Sequence, residues 1–175
     1  NPSASHFSFG KTKLRQDLVL DGSKWFHCTY LFSNLLGNEA GKMIYDGEWL
    51  IAHNGVLLER DNLLSFKNYK LLSTYLNAKP NSNQAKSLSK EEEFIDAECL
   101  GLFDYMRKTW SKGFVLSLSG GADSSACAIL VRHMIEKGVN ELGLYAFLNK
   151  IHFSDLIGHV TNAQDICQHI LTTAY

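Results

Sequence analysis

Six residues, Ser119-Gly120-Gly121-Ala122-Asp123-Ser124, carry the densest chemistry in this 175-residue chain. A short apolar run, Gly113–Leu118, stands before them, and a stretch with helical spacing follows. Strand, glycine-rich turn and helix together make an arrangement that binds phosphate. The turn aims backbone N–H groups at one point, and the helix N-terminus adds positive partial charge. Gly120 and Gly121 permit close backbone approach and unusual φ values. Ser119 and Ser124 add hydroxyl donors. Asp123 cannot face a phosphate oxygen without a bridging cation, which makes it a candidate Mg2+ ligand. The plainer alternative is a tight strand-to-helix turn with an Asp near an N-cap. Six positions in the right strand-helix context favour the phosphate site.

The loop has no Walker lysine. That absence suits a grip on pyrophosphate as a leaving group rather than on a transferring γ-phosphoryl group. Gly10-Lys11-Thr12 ends like a Walker A loop, but Ser5 stands where the first glycine belongs and no apolar strand precedes it. Cys28, Cys99, Cys127 and Cys167 form no C-x-x-C pair and have no His at metal-ligand spacing, which argues against zinc. Cys28 sits in a run of bulky, strand-forming residues, and strand neighbours such as His27 point to the opposite face; core packing is the favoured reading. Cys127, just past the loop, is read the same way. The histidines form no i, i+4 pair, and His133 reads as packed or surface rather than as a base. Glu91-Glu92-Glu93 suits a helix N-terminus.

Several elements position these groups. Lys11–Leu20 is weakly helical. Trp25–Phe32 has the composition of a buried strand. Two dipeptides supply tight-turn geometry: Asp46-Gly47 is expected to join Lys42–Tyr45 to Glu48–His53, and Asn54-Gly55 to join that strand to Val56–Glu59. Residues 77–90 contain one large apolar residue, Leu88, and read as a linker. Ser89 and Glu92 then form a capping box. It opens a helix whose apolar face is Ile95, Cys99, Leu102, Phe103, Met106 and Trp110. Gly113–Leu118 reads as a parallel strand covered on both faces. The next helix is expected from about Ser124 to Lys137, ended by Gly138. Glu141–Phe147 fits strand or helix, and Asn149–His169 is partly helical from Asp155 onward.

Formal net charge is -1, with 45% hydrophobic and 20% charged residues. This composition suits a soluble globular protein and gives no reason to expect a nucleic-acid or membrane partner. No apolar run approaches the roughly 20 residues of a spanning helix. Asn1–Ser5 is small and polar, unlike a signal peptide. Unpaired cysteines suggest a reducing cytoplasm. A start without Met, and strand-like residues at both ends, predict an internal fragment of a longer polypeptide.

Ser119–Ser124 resembles the signature of the N-type ATP pyrophosphatases, which include NAD, GMP and asparagine synthetases. Upstream, N-P-S-A-S-H-F-S-F-G-K at 1–11, S-N-L-L-G-N-E-A-G-K-M-I-Y-D-G at 33–47 and I-A-H-N-G at 51–55 resemble the last third of a nitrilase-type glutaminase domain. The combination is similar to the glutamine-dependent NAD synthetases, over about residues 1–147 and 168–175. The resemblance implies an α/β chain. Residues 1–76 would be the C-terminal part of a nitrilase-like αββα sandwich, 77–90 a linker, and 91–175 the start of a Rossmann-like ATP pyrophosphatase domain. It implies a ligase that adenylates deamido-NAD+ with ATP and Mg2+, then amidates it with ammonia from glutamine. Ser117, Leu118, Ser119, Gly120, Gly121, Ala122, Asp123 and Ser124 match the ATP motif. Ser5 and Lys11 match positions that hold glutamine, and Thr173 and Tyr175 fall where adenine would be met. The glutaminase Glu–Lys–Cys triad is expected before Asn1, leaving no catalytic residue of that half in the chain. A homo-oligomer is implied. The alternatives are a related amidotransferase such as GMP synthetase, or a non-catalytic nucleotide-binding scaffold.

Overall fold

Residues 1–77 and 88–174 are described by the computed structural model; positions 78–87 of the expected linker, and Tyr175, lie outside the described residues. The chain divides into two units, Asn1–Glu93 and Phe94–Tyr175.

The first unit runs β1 (Pro2–Ser3), α1 (Lys11–Trp25), β2 (Thr29–Asn34), β3 (Leu36–Glu39), β4 (Met43–Asp46), β5 (Trp49–His53) and β6 (Val56–Arg60). A four-stranded sheet has the order β1-β2-β5-β6, with β1 parallel to β2 and the other pairs antiparallel. β3 and β4 form a separate antiparallel pair. Strand alternation buries Phe32 and Asn34 on β2, and Leu50 and Ala52 on β5. Arg15, Val19 and Ser23, one helical turn apart, are the buried face of α1. Val19 packs with Phe32, Leu50, Ala52 and Leu57 in the core.

Three expectations fail here. The helix expected over Lys11–Leu20 continues to Trp25, and the strand expected from Trp25 begins only at Thr29. Trp25 is 78% exposed. The chain leaves the helix through left-handed His27 at φ 48°, with the Cys28 N–H donating to Ser23 O. The Asn54-Gly55 turn forms as expected between β5 and β6, with φ of 48° and 84°. Asp46-Gly47 does not close a hairpin: β4 pairs with β3, and β5 with β2 and β6. The reason is the Asp46 carboxylate, which is buried and held by Arg15 and Asn34, so the chain passes from one sheet to the other.

The helix α2 (Lys90–Thr109) begins in the first unit and leads into the second. Its capping box forms: the Ser89 N–H donates to Glu92 Oε2 at 2.8 Å and the Glu92 N–H to Ser89 Oγ at 3.2 Å. Cys99, Phe103 and Met106 are buried as expected, joined by Ala97 and Leu100; Ile95 and Leu102 are partly covered, and Trp110 is exposed past the helix end. Then follow β7 (Phe114–Ser117), α3 (Ala122–Leu142), α4 (Leu144–Lys150), a 3-10 turn (Ser154–Leu156), α5 (Ala163–Ile170) and β8 (Leu171–Ala174). Gly138 does not end α3. It is buried mid-helix, where a Cβ would overlap the Phe147 ring, and Gly143 at φ 82° makes the break. Glu141–Phe147 is therefore helix on both sides of Gly143. β7 and β8 are parallel, in register from Phe114↔Leu171 to Ser117↔Ala174. Val115 is 81% exposed, so the described residues cover β7 on one face, not both. The architecture is α/β. Among the described residues no helix is long and apolar enough to cross a membrane.

Candidate functional site

Strand β7 delivers the chain to the glycine loop. The Leu118 N–H donates to Ala174 O at 2.7 Å, just past the paired strands. The loop then leaves from the C-terminal ends of parallel strands, where such sheets bind ligands. Gly120 has φ 77° with nothing within 4 Å of a built Cβ, so backbone conformation rather than crowding calls for glycine. Gly121, the N-cap of α3, has φ -86° and ψ 171°. The unusual φ expected of both glycines belongs to Gly120 alone. With no side-chain cap at Gly121, the first-turn N–H groups of α3 stay available. Ser119 Oγ lies 3.3 Å from Ser124 Oγ, and the Ser124 and Ser125 hydroxyls donate to Gly121 O at 3.2 and 2.9 Å. Asp123 is exposed in the first turn of α3. No group of three His, Cys, Asp or Glu side chains able to hold a metal occurs among the described residues. A Mg2+ ion at this turn would have the exposed Asp123 carboxylate as one protein ligand, with phosphate oxygens and water as the rest.

The first unit fixes Ser5 on several sides. Its N–H donates to Asn34 Oδ1 at 2.9 Å, and its carbonyl accepts from Asn34 Nδ2 at 2.8 Å. Arg15 Nη2 donates to both Ser5 O and Ser5 Oγ at 3.1 Å. Arg15 Nη1 grips Asp46 Oδ2 at 2.6 Å and Glu48 Oε2 at 3.0 Å. Asp46 Oδ1 in turn accepts from Asn34 Nδ2 at 2.7 Å and from the Glu48 N–H at 3.1 Å. Burial pulls the Arg15 pKa down, but its bonds to Asp46 and Glu48 outweigh that and leave it raised. Burial pushes the Glu48 carboxyl up, against the pull of Arg15. Lys11 Nζ turns back to donate to His6 O at 2.8 Å. Ser5 and Lys11 thus bracket one loop that is tied down at both ends.

Residues 94–166 match the NAD synthase family model. A crystal structure of a glutamine-dependent NAD(+) synthetase from Cytophaga hutchinsonii matches 98% of this chain with TM-score 0.84 and 53% identity. Along its length the chain is similar to glutamine-dependent NAD(+) synthetases. The Macaca fascicularis synthetase is 26% identical across the whole chain, and the Synechocystis one 30% identical over 82% of it. The chain covers 30% of the Cytophaga protein, 31% of the Macaca protein and 26% of the Synechocystis protein, less than a third of each.

Of the eight residues expected to meet ATP, Ser117 ends β7, Leu118, Ser119, Gly120 and Gly121 form the turn, and Ala122, Asp123 and Ser124 open α3. Thr173 lies on β8, paired with Leu116; Tyr175 lies outside the described residues. Cys28 is half-buried at the start of the sheet, its carbonyl accepting from the Asn54 N–H. Cys127 is exposed on α3 rather than packed in a core. His133 is a surface group 3.7 Å from Glu136 Oε2. Sequence reading missed Arg15, Asn34, Asp46 and Glu48. The available signal was an arginine one turn from the apolar Val19 on a helix face, with no carboxylate three or four residues away to pair with. It also missed the Asn162 cap, whose side chain accepts from the Asp165 N–H at 2.9 Å.

Proposed function

We propose that this chain is part of an enzyme that makes NAD+ from deamido-NAD+, ATP and glutamine. Residues 1–76 would be part of its glutaminase domain, 77–90 a linker, and 91–175 part of its synthetase domain. One observation carries the reading: an open glycine loop at the mouth of a parallel β-α unit, inside the stretch that matches the NAD synthase model. Ser119 and the first-turn N–H groups of α3, joined by Ser124 once its hydroxyl turns from Gly121 O, bind the pyrophosphate portion of ATP. Charge developing on it as a leaving group is met by donors already in place. The carboxylate of the dinucleotide attacks the α-phosphorus, the bond to pyrophosphate breaks, and ammonia then displaces AMP to leave the amide. Mg2+ supplies charge neutralisation, and Asp123 would hold it. Ser5 and Lys11 hold the substrate glutamine, a hydroxyl and a cation suited to its α-carboxylate. A cytoplasmic location and self-association belong to the same proposal.

The test is made on the full-length protein, with ATP, the deamido dinucleotide and either glutamine or ammonium. One NAD+, one AMP and one pyrophosphate are expected per turnover. Asp123→Asn should lower synthesis about a hundredfold with either nitrogen source and raise the Mg2+ requirement. ADP and phosphate as products would refute the reading. Undiminished synthesis by the Asn variant would remove Asp123 from the metal site.

A further inference from the structure

Ser5 is a weak binding group in isolation: a small hydroxyl on a loop can rotate and can as easily accept as donate. The structure removes that freedom. Arg15, 7% exposed, spends Nη2 on the Ser5 carbonyl and hydroxyl oxygen, while Nη1 is anchored to Asp46 and Glu48. Asn34 clasps the backbone N–H and C=O of the same residue and is itself held by Asp46. These groups come from α1, β2, the end of β4 and the residue before β5, so the anchor is tertiary rather than local. A hydroxyl oxygen that accepts from a guanidinium keeps its own proton for another acceptor, and the charge polarises that O–H bond.

We infer that Arg15 is a positioning residue of the glutamine subsite, acting through Ser5 to present its hydroxyl as a donor to the substrate carboxylate. This rests on the proposed glutamine role of Ser5. The guanidinium fork is what the task requires. One nitrogen must bind two carboxylates while its neighbour binds two oxygens of Ser5, and a lysine ammonium cannot cover both sets. Asp46 and Glu48 keep the fork aimed, and Asn34 keeps the loop from withdrawing.

The experiment compares glutamine- and ammonia-dependent NAD+ synthesis by the full-length protein and its Arg15→Lys, Arg15→Met, Ser5→Ala and Ser5→Ala/Arg15→Met variants. Arg15→Lys should raise the KM for glutamine about tenfold relative to the ammonia-dependent rate of the same preparation. Arg15→Met should raise it further. The double variant should be no worse than the worse single variant, because both changes remove one interaction. If Arg15→Met fails to fold, seen as loss of the ammonia-dependent rate as well, the Lys variant carries the test. An unchanged glutamine KM in a folded Lys variant, or additive losses in the double variant, would overturn the inference. Wild-type protein that neither binds nor hydrolyses glutamine would overturn the functional reading beneath it, an outcome plainly distinct from a variant-specific null effect.

Discussion

Asp46 and Asp123 are both aspartates beside a glycine-containing turn, and burial separates what they can do. Asp46 is 1% exposed, with both carboxylate oxygens engaged by Arg15, Asn34 and the Glu48 N–H, so it is closed off from an outside ligand. Asp123 stands open at the N-terminus of α3. The same contrast divides the thiols. Cys127 is exposed on α3, whereas Cys99 is buried, its Sγ donating to Leu130 O at 3.7 Å. Burial pushes the Cys99 thiol up to about 12, from 9.0. At pH 8 only about one Cys99 in ten thousand is then a thiolate, the form that reacts. Iodoacetamide at that pH should label Cys127 in the native protein well before Cys99, with Cys99 labelled only on unfolding, as peptide mass spectrometry would read. The linkage has a sign. The folded thiol keeps its proton where the unfolded one has lost it, so stability falls as pH rises from about 9 towards about 12. Equal labelling rates would show that α2 does not seal Cys99 against α3.

At the scale of elements, close packing of α3 on α4 turns on Gly138. The Phe147 ring lies over the glycine, fully buried and stacked on Phe103 at 6.0 Å between centroids. An added methyl costs about 1–3 kcal/mol in overpacking, and the better helix propensity of alanine returns only about 1 kcal/mol. Gly138→Ala should therefore destabilise the second unit, read as faster amide exchange across α3 and α4. Unchanged exchange would mean that the Phe147 ring can step aside. Gly138 also shows where sequence was readable and where it was not. A glycine near the end of a helical pattern has the same local signature whether it terminates the helix or admits a neighbouring ring, and only α4 decides. Asn54-Gly55 was readable because its strands are adjacent in sequence. Asp46-Gly47 was not, because its turn chemistry competes with a buried arginine about thirty residues earlier. The glycine loop was legible because its six residues carry the geometry themselves. The Ser5 anchor was illegible because α1, β2 and β4 each contribute one part.

Under the proposed function, the two units would belong to two incompatible chemistries. Glutamine hydrolysis needs water at the reacting carbon, whereas an acyl-adenylate must be kept from water until ammonia arrives. The first unit offers a tied-down loop with a hydroxyl and a cation, suited to an amino-acid carboxylate. The second offers an N–H-lined turn and a carboxylate, suited to a magnesium polyphosphate. If the proposed roles hold, substitutions in the two units should separate by nitrogen source in the full-length protein. Lys11→Met should raise the KM for glutamine about tenfold or more, since it removes a cation from the carboxylate, and leave synthesis from ammonium at its former rate. Asp123→Asn should reduce synthesis from both sources by the same factor, because adenylation precedes either. A combined variant should show the Asp123 loss with ammonium and the product of both losses with glutamine at low concentration. That product is expected because the two changes affect separate steps on separate units. Equal loss with both nitrogen sources in the Lys11 variant would place Lys11 in the stability of the whole protein rather than in glutamine binding.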